Sequence, residues 1–290
     1  VIDWLIEPFR FGFMQTALIG ALLVAITCAL VGCYVVLRRM AFIGDALAHT
    51  ILPGVAVAYF TGANLYLGAL IAALATAAGI GWLSRRDDIR EDTAIGVMFT
   101  AMFALGVLML STANSFRDLS HILFGNILGV TVGELPLLAG VAVLTLVLLA
   151  ALHKEFELSS YDPTHAAVIG VKPDRIRYLL LFLLTLAVVT SIQLVGVILT
   201  SALLVTPAAA AALITRRLKT MMLVSVGFAA FSCVVGLYLS YYFDVASGAA
   251  IVLTCSALFL CTYLGRSALR RTRLSAAHGP GGHAEPAQPR

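Results

Sequence analysis

Asp45 and His49 are the residues of this sequence whose types and spacing best suit chemistry. They lie four apart in RRMAFIGDALAHTILPGVA, residues 38–56. On a helix, positions i and i+4 share one face, so a carboxylate and an imidazole point into the same space. An oxygen and a nitrogen ligand together suit manganese, ferrous iron or zinc, whereas copper(I) would want thiolates or thioethers. Pro53 follows His49 by four residues. It has no N–H for the His49 carbonyl and should kink the helix. Broken helices at membrane depth are tolerated where they line a cavity. The alternative is an Asp–His hydrogen bond that staples two helices. Two ligands are too few for a closed metal site; a two-fold dimer would bring together two of each.

Other polar residues are weaker candidates. Gln193 and Pro207 fall in SIQLVGVILTSALLVTPAAAAALI, where Pro207 frees the Leu203 carbonyl as a second helix break or path-lining position. Small residues around them suit close helix packing. Asp118 and His121, spaced i,i+3 in segment 111–133, offer a transient access site or gate, with a solvated loop as the bland reading. His278 and His283 stand among glycines near the C-terminal end and could hold a metal only weakly. The five cysteines lie inside apolar runs without a CxxC pair, which reads as buried hydrophobes.

The elements that must position these residues are membrane helices. The sequence is 61% hydrophobic and 12% charged, against about 25% charged in a soluble domain. Apolar runs at 12–37, 42–60, 65–83, 93–112, 134–152, 177–192, 196–215, 220–242 and 246–264 predict nine spans. The count falls to eight if the short sixth and seventh are one broken helix pair. The first ten residues lack a basic n-region and read as an interfacial segment anchored by Trp4 and Phe9. Placing 38–39, 84–92, 153–177, 216–219 and 265–290 on one side collects every lysine and arginine there except Arg10 and Arg117. The positive-inside rule makes that side cytoplasmic, with the N-terminus outside. The expected organisation is a transmembrane domain over 1–265 and a disordered cytoplasmic tail over 266–290, rich in Gly, Pro and Ala toward its end.

The segment HKEFELSSYDPTHAAVIGVKPDR, within the expected cytoplasmic stretch 153–176, is the longest ordered-looking loop. Asp162 and Pro163 read as a helix start and Gly170 as its stop, presenting Thr164, His165 and Ala166 for a partner or forming a plain connector. No G-x-x-x-x-G-K-[ST] phosphate loop is present, so ATP hydrolysis on this chain is not expected.

Four ordered motifs carry a family resemblance: RRMAFIGDALAHTILPGVA at 38–56, DLSHILFGNIL at 118–128, SYDPTHAAVIGV at 160–171 and QLVGVILTSALLVTPAAAA at 193–211. With these, the chain resembles the permease subunit of the ABC-3 metal-uptake transporters, over residues of about 10 to 265. The resemblance implies an all-α, polytopic permease fold of the type II ABC-importer kind, with no enzymatic activity of its own. It implies that Asp45 and His49 line the ion path, that 118–128 is an external gate helix, and that Asp162 to Gly170 is the helix that docks on the ATPase. Expected partners are a dimer of cytoplasmic ATP-binding subunits, a second permease chain in a homodimer, an extracytoplasmic metal-binding protein and the bilayer of a bacterial inner membrane. No nucleic acid and no permanently bound cofactor are expected; manganese is the first choice of cargo, zinc or iron next. A proton-coupled secondary transporter is the competing reading. It would need more membrane-embedded acids and an internal repeat than the sequence offers.

Overall fold

Apolar runs bounded by charged or glycine-containing links fold as helices from end to end. The structure, a computed structural model, describes residues 7–85, 89–111, 127–215 and 217–277. These form twelve α-helices, two short 3-10 turns and no strand. Helix α1 is Gly12–Leu37, α2 Ile43–Thr50, α3 Leu52–Thr61, α4 Leu65–Leu83 and α5 Glu91–Ser111. Then follow α6 Leu135–Ala151, α7 His153–Tyr161 and α8 Pro163–Val168. The last four are α9 Pro173–Val195, α10 Val197–Ile214, α11 Leu218–Phe243 and α12 Ser247–Ala277.

Among the described residues eight helices are long and apolar enough to cross a bilayer, with α2 and α3 counted as one span, and nine if the bent α6–α7 pair is included. That pair meets at 73°. Helix α6 alone has 17 residues, about 26 Å at ~1.5 Å per residue, against a hydrocarbon core of roughly 30 Å. The sixth and seventh runs are separate helices of 23 and 18 residues. Asp174, Arg175 and Arg177 cut the sixth apolar run short in the sequence, yet they occupy the first turns of α9 behind Pro173. Gly196 alone links α9 to α10, with φ 84° and ψ 169°, a backbone conformation essentially restricted to glycine.

Contacts between links show which share an end of the bundle. Arg38, after α1, donates from Nη2 to Ser159 Oγ at 3.0 Å and from Nε to Ser160 Oγ at 3.3 Å. Arg177 donates from Nη1 to the Ser84 carbonyl at 2.9 Å. The α1–α2, α4–α5 and α6–α9 links therefore lie together. At the opposite end the Phe11 ring meets Tyr241 at 6.3 Å, and Gly20 packs beneath Val130 and Leu135.

Helix α1 is the hub, packed by α6, α9, α10 and α11. It is apolar all round, as a core helix must be, and small residues let its neighbours close in. A Cβ on Gly32 would lie 1.8 Å from the Leu204 carbonyl oxygen of α10. By contrast α5 buries only Ala94, Ile95, Gly106 and Leu110. Of its other apolar side chains, Met98 packs over Gly79 and Phe99 and Phe103 face α2, while Val97, Leu105, Val107 and Leu108 are exposed.

Two boundaries differ from the expectation. Helix α12 runs to Ala277, past the tail boundary expected at 266, because RSALRRTRLSAA is made largely of good helix formers. Helix α10 continues through Pro207, so the break expected there falls at Gly196 instead. Residues 278–290, with His278 and His283, lie outside the described residues.

Candidate metal-binding helix and partner-docking helix

The turn after α1 sets the direction of α2. Arg39 adopts φ 60°, Ile43 N–H bonds the Met40 carbonyl at 3.0 Å, and Ala46 N–H bonds that of Phe42 at 2.9 Å. Ile43, Gly44, Leu47 and Ala48 turn inward. Gly44 sits against the Leu204 side chain, so α10 backs α2 without lining its outer face. Asp45 and His49 occupy that outer face, 55% and 27% exposed, with Asp45 Oδ1 and His49 Nε2 3.7 Å apart.

The helix is interrupted one residue after Thr50 and restarts at Leu52. Pro53 falls in the first turn of α3, where a missing N–H costs nothing. The interruption is the single residue Ile51, two residues beyond His49, and its φ −69° and ψ −21° keep α2 and α3 within one span. Pro53 is buried beneath α5, its Cδ facing Gly106.

Across from α2, helix α5 contributes Phe99 and Phe103. Their rings approach the His49 ring at 5.9 and 5.7 Å, edge-on at 61° and 80°. Toward the Arg38 end, Phe42, Asp45, Asp92, Ile95, Gly96 and Phe99 line a cleft of about 240 Å³. Asp92 is a site-facing carboxylate that the sequence reading passed over. It follows Glu91 in the first turn of α5, where acids ordinarily do no more than complement the helix dipole. Among the described residues no three His, Cys, Asp or Glu side chains gather as a metal cage. In those residues the chain offers one carboxylate–imidazole pair and no closed cage.

The remaining candidates lie elsewhere. Gln193 is exposed in the last turn of α9, about 24 Å along that helix from Arg177 and so far from the Arg38 end. Asp118 and His121 lie outside the described residues.

The expected partner helix forms as α8. Asp162 Oδ1 accepts the His165 N–H at 2.9 Å as its N-cap, Pro163 takes the first position, and Gly170 ends the segment with φ 89°. Ala166 is buried beneath it, while Thr164 and His165 are exposed. Val168 and Ile169 are more telling, at 80% and 56% exposed. Helix α7, a segment whose sequence predicts a loop, is anchored beside this element by the bonds from Arg38 to Ser159 and Ser160. Burial lowers the Arg38 pKa, with Glu91 opposing the shift and Arg177 adding to it; an arginine nonetheless stays charged. Arg177 Nε in turn lies 3.2 Å from Glu91 Oε1, at an angle outside hydrogen-bond geometry, and ties the head of α5 to α9.

The family model of the ABC 3 transport family matches residues 10–266. The chain belongs to this family. It is 43% identical over 255 residues to the manganese transport system membrane protein MntC of Listeria innocua, covering 88% of this chain and 91% of that one. It is 41% identical over 260 residues to a Haemophilus influenzae protein described as a probable iron transport system membrane protein, covering 90% and 96%. The solved structure of PsaBC from Streptococcus pneumoniae in complex with Fab contains a chain 40% identical to it. That match has a TM-score of 0.78 and covers 91% of this chain and 95% of that one. The chain is therefore a helical membrane permease subunit and not an enzyme.

Proposed function

We propose that this chain is the permease of an ATP-driven importer of divalent metal ions, manganese first and iron or zinc next. Asp45 and His49 hold the ion transiently in the membrane. The observation that carries the reading is their 3.7 Å separation on the outer face of α2. With metal–ligand bonds of about 2.1–2.2 Å, such a pair subtends roughly 115–125° at a single ion. One ion can thus bridge both side chains with little rotation of either. The pair being open fits a transport site, which must release its ion.

A second copy of the chain supplies the remaining ligands in a two-fold path, and the exposed apolar face of α5 suits that contact. Helix α8, with Val168 and Ile169 bare, docks on a separate cytoplasmic ATP-binding subunit. On this reading the Arg38 end lies in the cytoplasm and the N-terminus outside the bacterial inner membrane, where a metal-binding protein delivers the ion. The relatives' names, manganese and iron transport, support the choice of cargo.

The test is uptake of radioactive manganese by vesicles containing the assembled transporter, with Asp45→Ala and His49→Ala variants. Both should lose uptake at unchanged protein level, and uptake should require ATP inside the cytoplasmic compartment. Wild-type uptake in both variants would sink the assignment of the pair. ATP-independent, proton-driven uptake would favour a secondary transporter.

A further inference from the structure

His49 is held by more than its own helix. Two rings from α5 enclose it, Phe103 at 5.7 Å and Phe99 at 5.9 Å, both edge-on. The two phenylalanines lie 5.8 Å apart and 20° from parallel, so they support one another as a single wall. All three separations are within the range where aromatic pairs attract and select geometry. In this pose Nε2 faces Asp45 at 3.7 Å. Phe99 also lines the cleft onto which Asp45 opens. One aromatic wall thus borders the imidazole on one side and the approach to the carboxylate on the other.

The rings carry no lone pair for a metal, so their part cannot be ligation. A surface imidazole 27% exposed would otherwise sample several rotamers, most of them turning Nε2 away from Asp45. We infer that Phe99 and Phe103 are positioning residues: they hold the His49 ring so that the Asp45–His49 pair is assembled before the ion arrives. The pair depends on two elements, α2 for the ligands and α5 for their orientation. Anything that moves α5 against α2 then changes ion affinity, and the head of α5 is already tied to α9 through Glu91 and Arg177. This inference rests on the reading of Asp45 and His49 as the metal ligands.

The test is equilibrium binding of radioactive manganese to the purified, detergent-solubilised transporter complex. Wild type is compared with Phe99→Leu, Phe103→Leu, Phe103→Tyr and His49→Ala, with thermal melting recorded for each. Leucine keeps apolar bulk and loses the ring edge; tyrosine keeps the ring. The leucine variants should bind manganese about 3- to 10-fold more weakly, the cost of freeing one side chain before binding, at near-wild-type melting temperature. Phe103→Tyr should restore wild-type affinity, which a role in bulk packing alone does not predict for a ring carrying an added hydroxyl. Wild-type affinity in both leucine variants, with His49→Ala failing to bind, overturns the positioning role and leaves the ligand assignment standing. Wild-type affinity in His49→Ala overturns the ligand assignment and this inference with it.

Discussion

Gly106→Ala tests how closely α5 must approach the helix interruption. A Cβ at Gly106 would lie 2.6 Å from Leu52 Cβ and 3.0 Å from Pro53 Cδ and N. Carbon atoms rest at about 3.5–4.0 Å, so the helices must part by roughly 1 Å. Leu52 Cβ and the proline ring cannot rotate out of the way. The α2–α3 span is wedged between α4 and α5, with Gly54 and Gly68 in backbone contact, whereas α5 buries only four residues. Helix α5 is therefore the element that yields. Overpacking costs about 1–3 kcal/mol, and alanine in place of glycine returns roughly 1 kcal/mol of helix propensity. The net loss, about 0–2 kcal/mol, leaves the protein folded. Phe103 is three residues away, and its 5.7 Å contact with His49 widens toward the outer limit of about 7 Å for ring attraction. Losing a contact worth about 0.5–1.5 kcal/mol corresponds to roughly 2- to 10-fold weaker manganese binding. The assay is manganese binding and melting of the purified complex. Gly140→Ala on α6 is the control, because nothing lies within 4 Å of its Cβ position. Wild-type affinity in Gly106→Ala would refute the link from α5 packing to His49.

Gly32→Ala should fail outright. Its Cβ would fall 1.8 Å from a backbone carbonyl of α10, and the central α1 has no free side toward which to move; membrane abundance and a monodisperse chromatographic peak should both be lost. Arg38→Ala removes two hydrogen bonds to Ser159 and Ser160, each worth about 1.5–3 kcal/mol from a charged donor. If these bonds link the docking helix to the membrane helices, the assembled transporter should keep hydrolysing ATP while manganese uptake falls; equal loss of both activities would argue against that link. Asp162→Ala deletes the α8 cap at about 0.5–2 kcal/mol. It should weaken co-purification of the ATP-binding subunit without altering manganese binding; unchanged co-purification would count against α8 as the docking element.

Much of the fold was legible because membrane spans are written in composition. Every apolar run became helical, the second as the pair α2 and α3, and the basic residues flagged the links that the structure brings together at the Arg38 end. Local chemistry was equally readable: Asp162, Pro163 and Gly170 delimit α8 as cap, first residue and stop. Reading failed where polarity and periodicity disagree. Asp174, Arg175 and Arg177 hid the start of α9, and Arg266 to Arg273 hid the continuation of α12, because charged residues extend a helix without extending its apolar run. Helix α7 was missed for the same reason. HKEFELSSY has no apolar stripe, and it is held by Arg38 and by packing of Phe156 against Tyr34, 5.3 Å ring to ring.

The candidate site divides along the same line. The i,i+4 spacing of Asp45 and His49, and the proline after them, determined from sequence alone that carboxylate and imidazole share a face just before a helix interruption, since those relations are local to one helix. Tertiary structure decided which way that face looks. It turned Gly44 onto Leu204 and so turned Asp45 outward. It brought Phe99 and Phe103 to His49 and Asp92 to the same cleft from half a hundred residues away. A helical repeat specifies neighbours within a turn or two; which other helix meets them depends on how small residues let whole helices approach, and that is settled only by packing.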